Sequence, residues 1–370
     1  MNLADMLTYA DIAQLSRIAN HYQCDCNGNS KHELIQSILQ TVGRRGFIEH
    51  HLDEMSMEDL RFLNALLFDG RKQFSLEDLL ACAKQSRAAK IERNQEKEQE
   101  QERENPREVI SRFRQRAWLF QGATPTTRYL FEVPDDLRRR FREVMVKRMR
   151  SEVVLAEQEP VIYREESDLM STDLHLFLEY VLNHSVALNA EGVMYRRSQL
   201  QIMEMLHVSE PLVGKGWRFG YGRRFKDYPS RFSLLYDYAY HIRLIKEEGD
   251  SLRLTSSGLS YLKEEHGDTM LQFVVFWLRL YKIPIPNLLS IIYWIERSSA
   301  DWVSVASLYQ KLESLIAAFF YDTPKSIFEE RILRMMLHLG MIRIGENGDG
   351  ERYVQTTGFG KMATGQLHKD

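Results

Sequence analysis

The chain has 370 residues, too many for one ordinary domain and enough for two or three. An apolar fraction of 44% can build cores, and a net charge of −3 excludes a globally basic nucleic-acid binder, so any such contact must come from local patches. Three cysteines exclude a disulfide framework; Cys24-x-Cys26, with His21 and His32 nearby, falls short of the paired four-ligand pattern of structural zinc and is read as free cytosolic thiols.

The opening MNLADMLTYADIAQL lacks a basic region followed by an apolar run, so no signal peptide is expected. Leu7, Ile12, Leu15, Ile18 and Ala19 recur at helical spacing. Turn chemistry follows in CDCNGNS, then Ser30 as an N-cap with Glu33 as its capping-box partner, and a second apolar face of Leu34, Ile35, Ile38 and Leu39. The pattern predicts helix, short connector, helix. Two more helices are expected around Met57–Phe68 and Ser75–Cys82, the second with Asp78 answering Ser75. The stretch 84–108 has almost no large apolar residue after Ile91, and Glu92, Glu96, Glu100 and Glu104 repel at i, i+4; a solvated helix extension or flexible linker is expected. Residues 270–295 are strongly apolar, but Arg279, Lys282, Pro284 and Pro286 break the run into two buried helices rather than a membrane span.

Three segments share one grammar: 109–141, 234–264 and 332–363. Each starts with an amphipathic helix and passes into a short apolar strand (WLF, RLI or MIRI). A turn rich in Gly, Asp, Asn or Thr and a second strand (YLFEV, LRLT or RYVQT) follow. The last two then run T-[ST]-x-G or T-T-G into another apolar stretch. Upstream helices stand at 57–82, in LHLFLEYVLNHSVALNAEGVMYRRSQLQIMEML, and in LLSIIYWIERSSADWVSVASLYQKLESL, where WVSVASLYQKL reads as a short strand leading into a helix. A helix before a hairpin, with helices ahead of it, is the pattern of a winged helix-turn-helix.

DIAQLSRIANHYQCDCNGNSKHELIQSIL resembles the helix-extended-helix of SAP-type and Rho-N-terminal-type modules, many of which bind nucleic acid. Together with AWLFQGATPTTRYLFEVPDDLRRRF and LNAEGVMYRRSQLQIMEML, it is similar to bacterial proteins carrying the domain named after the N-terminal part of XPB-type helicases. There a SAP-like opening leads to a winged-helix unit ending in V-P-x-x-L, here Val133-Pro134-Asp135-Asp136-Leu137. A later T-x-x-G-x-x-x-[KR]-[RK] passage falls here at 188–197, without the usual Thr. The resemblance is strongest over 1–210. It implies a helicase-associated or DNA-repair-linked scaffold and carries no catalytic motif. A phosphate-cradling G-x-x-x-x-G-K-[ST] loop is absent from the sequence, and Gly358-Phe359-Gly360-Lys361 lacks both spacing and Ser/Thr, so ATP-driven work would fall to a partner chain.

The stretch GKGWRFGYGRRFKDYPSRF (214–232) interleaves Lys215, Arg218, Arg223, Arg224, Lys226 and Arg231 with aromatics, against one acid, Asp227. On a nucleic-acid surface the cations would meet phosphates while Trp217, Phe219 and Tyr221 stack on single-stranded bases. As a connector it would instead pack Trp217, Phe225 and Tyr228 inward and leave the arginines in water. The helix 137–150 carries Arg138, Arg139, Arg140, Arg142, Lys147, Arg148 and Arg150 beside an apolar face of Leu137, Phe141, Val144 and Met145; acids at 152–159 and Glu165, Glu166 and Asp168 are candidates to neutralise it. Arg196 and Arg197 open the helix RSQLQIMEML and are a third candidate phosphate contact. Histidines His50, His51, His175 and His184 lack partners at useful spacing, and acids 165, 166 and 168 are more simply solvent-facing than metal-binding, so no enzyme, cofactor or metal is expected.

The expected protein is mainly α with small β-hairpins: tandem winged helix-turn-helix units behind an N-terminal helical hairpin. The boundaries read 1–50 for the SAP/Rho-N-like hairpin and 51–150 for a first winged unit with the charged insertion 84–108. The second and third units span 165–268 and 269–370. The expected role is a cytoplasmic, non-catalytic DNA-binding or helicase-associated adaptor with a protein partner such as a helicase or nuclease, and no membrane contact. The alternatives are a protein–protein scaffold of winged helices without DNA binding, or a transcription regulator, which ordinarily needs a dimer and a strongly basic recognition helix.

Overall fold

The computed structural model describes residues 1–88, 105–214, 220–263 and 269–368. They divide into two units, Met1–Val153 and Val154–Asp370.

The first unit opens with α1 (Leu3–Tyr9), α2 (Ile12–His21), α3 (Lys31–Gly43) and α4 (Phe47–Asp53). Of the apolar faces read from the sequence, Leu7, Leu15, Ile18, Ala19, Leu34 and Ile38 are buried and Ile35 and Leu39 half-buried, but Ile12 is exposed, because the single helix expected there breaks at Ala10 and restarts behind Asp11, whose side chain accepts from Gln14 N–H. Ser30 caps α3, its Oγ accepting from Glu33 N–H at 3.3 Å. The reciprocal arm of the expected capping box is not made, because the Glu33 carboxylate accepts from Asn27 N–H at 3.2 Å and closes the connector instead. Next come α5 (Met57–Phe68), α6 (Leu76–Ala88), α7 (Pro106–Gln115), β1 (Phe120–Gln121), β2 (Phe131–Glu132) and α8 (Asp135–Glu152). Ahead of α6 the box is complete: Ser75 Oγ accepts from Asp78 N–H at 3.1 Å, and Asp78 accepts from Ser75 N–H at 2.9 Å. Helix α6 runs six residues past the expected end at Cys82. The core of the expected linker, 89–104, lies outside the described residues.

The second unit begins with β3 (Ile162–Arg164), α9 (Leu169–Asn183), β4 (Val186–Ala187), α10 (Arg196–Met205), α11 (Ser230–His241), β5 (Ile245–Glu248), β6 (Ser251–Leu254) and α12 (Ser256–Tyr261). It continues with α13 (Thr269–Tyr281), α14 (Leu288–Ser298), β7 (Val303–Ser304) and α15 (Val305–Leu312). A further rod comprises α16 (Pro324–Ser326), a π-helical stretch (Ile327–Leu333) and α17 (Arg334–His338), and β8 (Ile342–Glu346), β9 (Arg352–Thr356) and α18 (Gly358–Leu367) follow. As expected, the apolar run 270–295 forms two buried helices, with Phe273, Trp277, Ile291 and Ile292 inside. Among the described residues no helix is long and apolar enough to cross a membrane.

The chain is therefore mainly helical with small antiparallel sheets. One element order occurs three times: helix, short strand, two helices, hairpin. In each, the leading strand pairs with the second strand of its hairpin: Phe74 with Phe131, β4 with β6, and β7 with β9. Strand β3, which the sequence reading missed, adds to the outer edge of β8.

The repeat is also exact in local chemistry. Each third helix ends in a left-handed residue, Ala117 (φ 54°), Arg243 (φ 60°) or Gly340 (φ 69°). The next amide closes the turn, with Trp118 N–H donating to Phe113 O, Leu244 N–H to Ala239 O and Met341 N–H to Met336 O. The threonine–glycine step read as T-[ST]-x-G or T-T-G is T-x-x-G in both repeats, the close-packed glycine of the third being Gly360 and not Gly358. Thr255 and Thr357 cap α12 and α18 by accepting from the N–H of Gly258 and Gly360 at 3.1 and 2.9 Å. Their hydroxyls donate to Arg243 O and Gly340 O at 2.5 and 2.6 Å. A Cβ on either glycine would stand 2.2 Å from Leu244 O or 2.0 Å from Met341 O, so the helix can lie against the strand only with glycine there.

Candidate nucleic-acid interface

The basic–aromatic stretch divides sharply in space. Lys215, Trp217, Arg218 and Phe219 lie outside the described residues. Tyr221 is buried, edge-on to Tyr281 at 4.7 Å with the Arg331 guanidinium 5.4 Å from its ring, which corrects its assignment as a stacking platform: the ring is already covered. Tyr228 is buried as well, and its hydroxyl accepts from Met194 N–H at 3.0 Å. Lys226 is exposed beside the Phe225 ring.

Arg223 and Arg224 converge on one carboxylate. Arg223 grips Glu247 with two bonds of 2.6 Å. Arg224 adds one at 2.9 Å and reaches Asp227 at 3.3 Å, while Tyr236 donates to Glu247 at 2.8 Å. Burial pushes the Glu247 carboxyl up, but the bonds from Arg223, Arg224 and Tyr236 outweigh it and hold the group at about 2. Behind them Asp237 accepts from Arg223 and Arg224 N–H at 2.6 and 3.3 Å; burial raises its carboxyl to about 6 against those bonds. Arg224 is buried and thus corrected from a phosphate contact to part of the fold; Arg223 stays partly exposed but paired.

Arg231 is a stronger correction. It is 0% exposed, 2.6 Å from Asp173 and 3.4 Å from Glu166, themselves 0% and 1% exposed. Glu166 also accepts from His338 Nδ1 at 2.8 Å and pairs with Arg164 at 2.5 Å, and Asp173 accepts from His207 N–H at 2.8 Å. This network ties α9, α11 and α17 together. Helix α11 has no side-chain cap of its own; Glu210 supplies the negative charge at its N-terminus by accepting from Arg231 and Phe232 N–H at 3.0 Å each. The Glu166 carboxylate is therefore engaged within its own unit, buried rather than solvent-facing, and Glu165 pairs with Arg343 at 3.1 Å. Among the described residues no group of three or more His, Cys, Asp or Glu is placed to hold a metal ion.

The basic helix α8 is largely spent on its own unit. Arg138 is buried. Arg140 donates to Val42 O at 3.0 Å and Arg142 to Leu67 O, so the two guanidiniums satisfy last-turn carbonyls of α3 and α5. Arg148 pairs with Asp53 at 2.7 Å and with Glu152 at 3.1 Å. Asp53 and Glu152 thus compensate Arg148 within the same unit. Arg139 and Lys147 remain exposed. Arg196 and Arg197 are exposed at the start of α10, flanked by exposed Tyr195 and Leu200.

Two cations that the sequence reading did not count among the candidate contacts, Arg243 and Arg279, face a cleft between α11, β5 and α13. The available signal was the repeat register, in which Arg243 occupies the position of Gly340. No protein-family model matches the chain, and no curated protein matches it.

Proposed function

We propose that this protein is a non-catalytic adaptor built of tandem winged helices, which holds DNA by its phosphate backbone and serves a helicase-type partner. The observation that carries this reading is the threefold recurrence of helix, strand, helix, helix and hairpin, with the leading strand paired to the hairpin's second strand each time. The resemblance to helicase N-terminal domains supports it, and since the sequence carries no phosphate-cradling loop, ATP-driven work in this reading falls to the partner. The third helix of the middle unit, α11, is buried from Arg231 to Ala239, which argues against base reading in a major groove and so against a sequence-specific regulator. The same observation favours one second reading, a protein scaffold whose third helices serve packing alone.

Fluorescence anisotropy on single-stranded, duplex and forked DNA at low and moderate salt tests the proposal. Wild-type protein should bind with steep salt dependence, and Arg196→Ala/Arg197→Ala should weaken binding and lower the salt slope by about one per lost contact. Binding to none of these substrates at low salt would overturn DNA contact in favour of the scaffold.

A further inference from the structure

The cleft of about 570 Å³ beside the hairpin of the middle unit is lined by four cations, Arg223, Arg243, Lys246 and Arg279, and one acid, Asp237. Two of the cations are compensated: Arg223 by Glu247 at 2.6 Å and Lys246 by Glu248 at 3.0 Å. Asp237 is occupied by the backbone amides of Arg223 and Arg224. Arg243 has no carboxylate partner among the described residues. Arg279 donates to the His241 ring nitrogen Nε2 at 2.9 Å and has no carboxylate partner among the described residues. The wall carries aromatic surface: Tyr240 is 39% exposed, with the Arg223 guanidinium 4.2 Å over one face of its ring and the ring edge left open, and His241 stacks on Phe276 with ring centroids 5.1 Å apart. Arg243 also holds a left-handed backbone that its counterpart Gly340 adopts freely. A non-glycine residue in that conformation costs about 1 kcal/mol or more, so arginine stands there against local stability.

We propose that this cleft binds a backbone phosphate of a single nucleic-acid strand, with Arg243 and Arg279 as the contacting guanidiniums and the edge of the Tyr240 ring beside the sugar. Two guanidinium forks without a carboxylate partner match phosphate oxygens, and the open edge of Tyr240 beside them suits a strand rather than a lone anion. The assignment rests on the DNA-binding reading above and names where the strand sits.

The test uses the full chain and a labelled oligothymidine, with wild type, Arg243→Gly, Arg279→Gln and Arg196→Ala/Arg197→Ala side by side. Arg243→Gly should leave the thermal midpoint unchanged or raised, because glycine suits the left-handed site. It should weaken strand binding roughly tenfold, as loss of a charge-assisted contact does. Arg279→Gln should do likewise, and each should reduce the salt slope by about 0.7. Inorganic phosphate and dAMP should compete only at millimolar concentration. If wild type binds the oligonucleotide and both single variants bind it equally well, the cleft assignment falls while the DNA reading stands. Displacement by micromolar dAMP would overturn the strand assignment in favour of a small-nucleotide site. Absence of wild-type binding would overturn both proposals.

Discussion

Replacing Arg231 separates the two roles that its sequence context offers. Its guanidinium lies 2.6 Å from Asp173 and 3.4 Å from Glu166, with all three side chains at most 1% exposed. Arg231→Met retains bulk and apolar packing but leaves two buried carboxylates without their shared cation. Breaking a buried pair by deleting one partner costs about 3–5 kcal/mol, most of it the stranded charge. At about 1.4 kcal/mol per factor of ten, local opening should become more frequent by roughly two to three and a half powers of ten. Hydrogen exchange read by mass spectrometry on the peptides of α9 and α11 measures this directly. Adding Asp173→Asn should recover part of the loss, because it removes one stranded charge. Exchange within fivefold of wild type, or a loss of DNA affinity at unchanged protection, would refute the buried-bolt account and return Arg231 to the surface.

Glu247 sets a pH limit: its folded-state carboxyl titrates at about 2 against an ordinary 4.5, so its contribution is complete above about 4.5 and is lost as pH falls through about 2. Acid-unfolding curves of Glu247→Gln should lack that leg, and a curve parallel to wild type would contradict the assignment. Gly258→Ala and Gly360→Ala should each destabilise by about 1–3 kcal/mol despite alanine's helix preference, since the new Cβ meets a carbonyl oxygen; denaturant midpoints report this. Arg142→Gln should lower stability by about 1 kcal/mol through the carbonyl of Leu67 and leave DNA affinity unchanged, which anisotropy on the same samples checks.

Much of the fold was legible in the residues. Helix α5 occupies Met57–Phe68 as its periodicity indicates, Ser75 and Asp78 form the expected reciprocal cap, and the run 270–295 breaks into α13 and α14 around its prolines. The recurrence of helix, hairpin and a threonine–glycine step was visible because each feature depends on residues a few positions apart, though the spacing from Thr357 to Gly360 appeared only with the hydroxyl that reaches an amide three residues on. Even the half-made box at Ser30 follows this pattern, since Asn27 competes locally for the Glu33 carboxylate.

The candidate site was far less legible. In 220–232, Arg223, Arg224, Lys226 and Arg231 look alike as sequence, yet one is buried in full, one is buried in a shared ion pair, one is half-open and paired, and one is exposed. What separates them is the position of Asp173, Glu166 and Glu247, acids on distant elements that periodicity cannot align with a given guanidinium. Strand β3 escaped notice for the same reason: it exists by pairing with β8, far along the chain. Local hydrogen bonding and apolar spacing are written in consecutive residues, so the sequence alone determined helix α5, the Ser75 cap, the two helices of 270–295 and the threefold repeat of this protein. Burial and charge compensation depend on which elements meet, so only the tertiary structure decided that Arg224 and Arg231 hold the fold together while Arg196, Arg197, Arg243 and Arg279 keep their charge open to solvent.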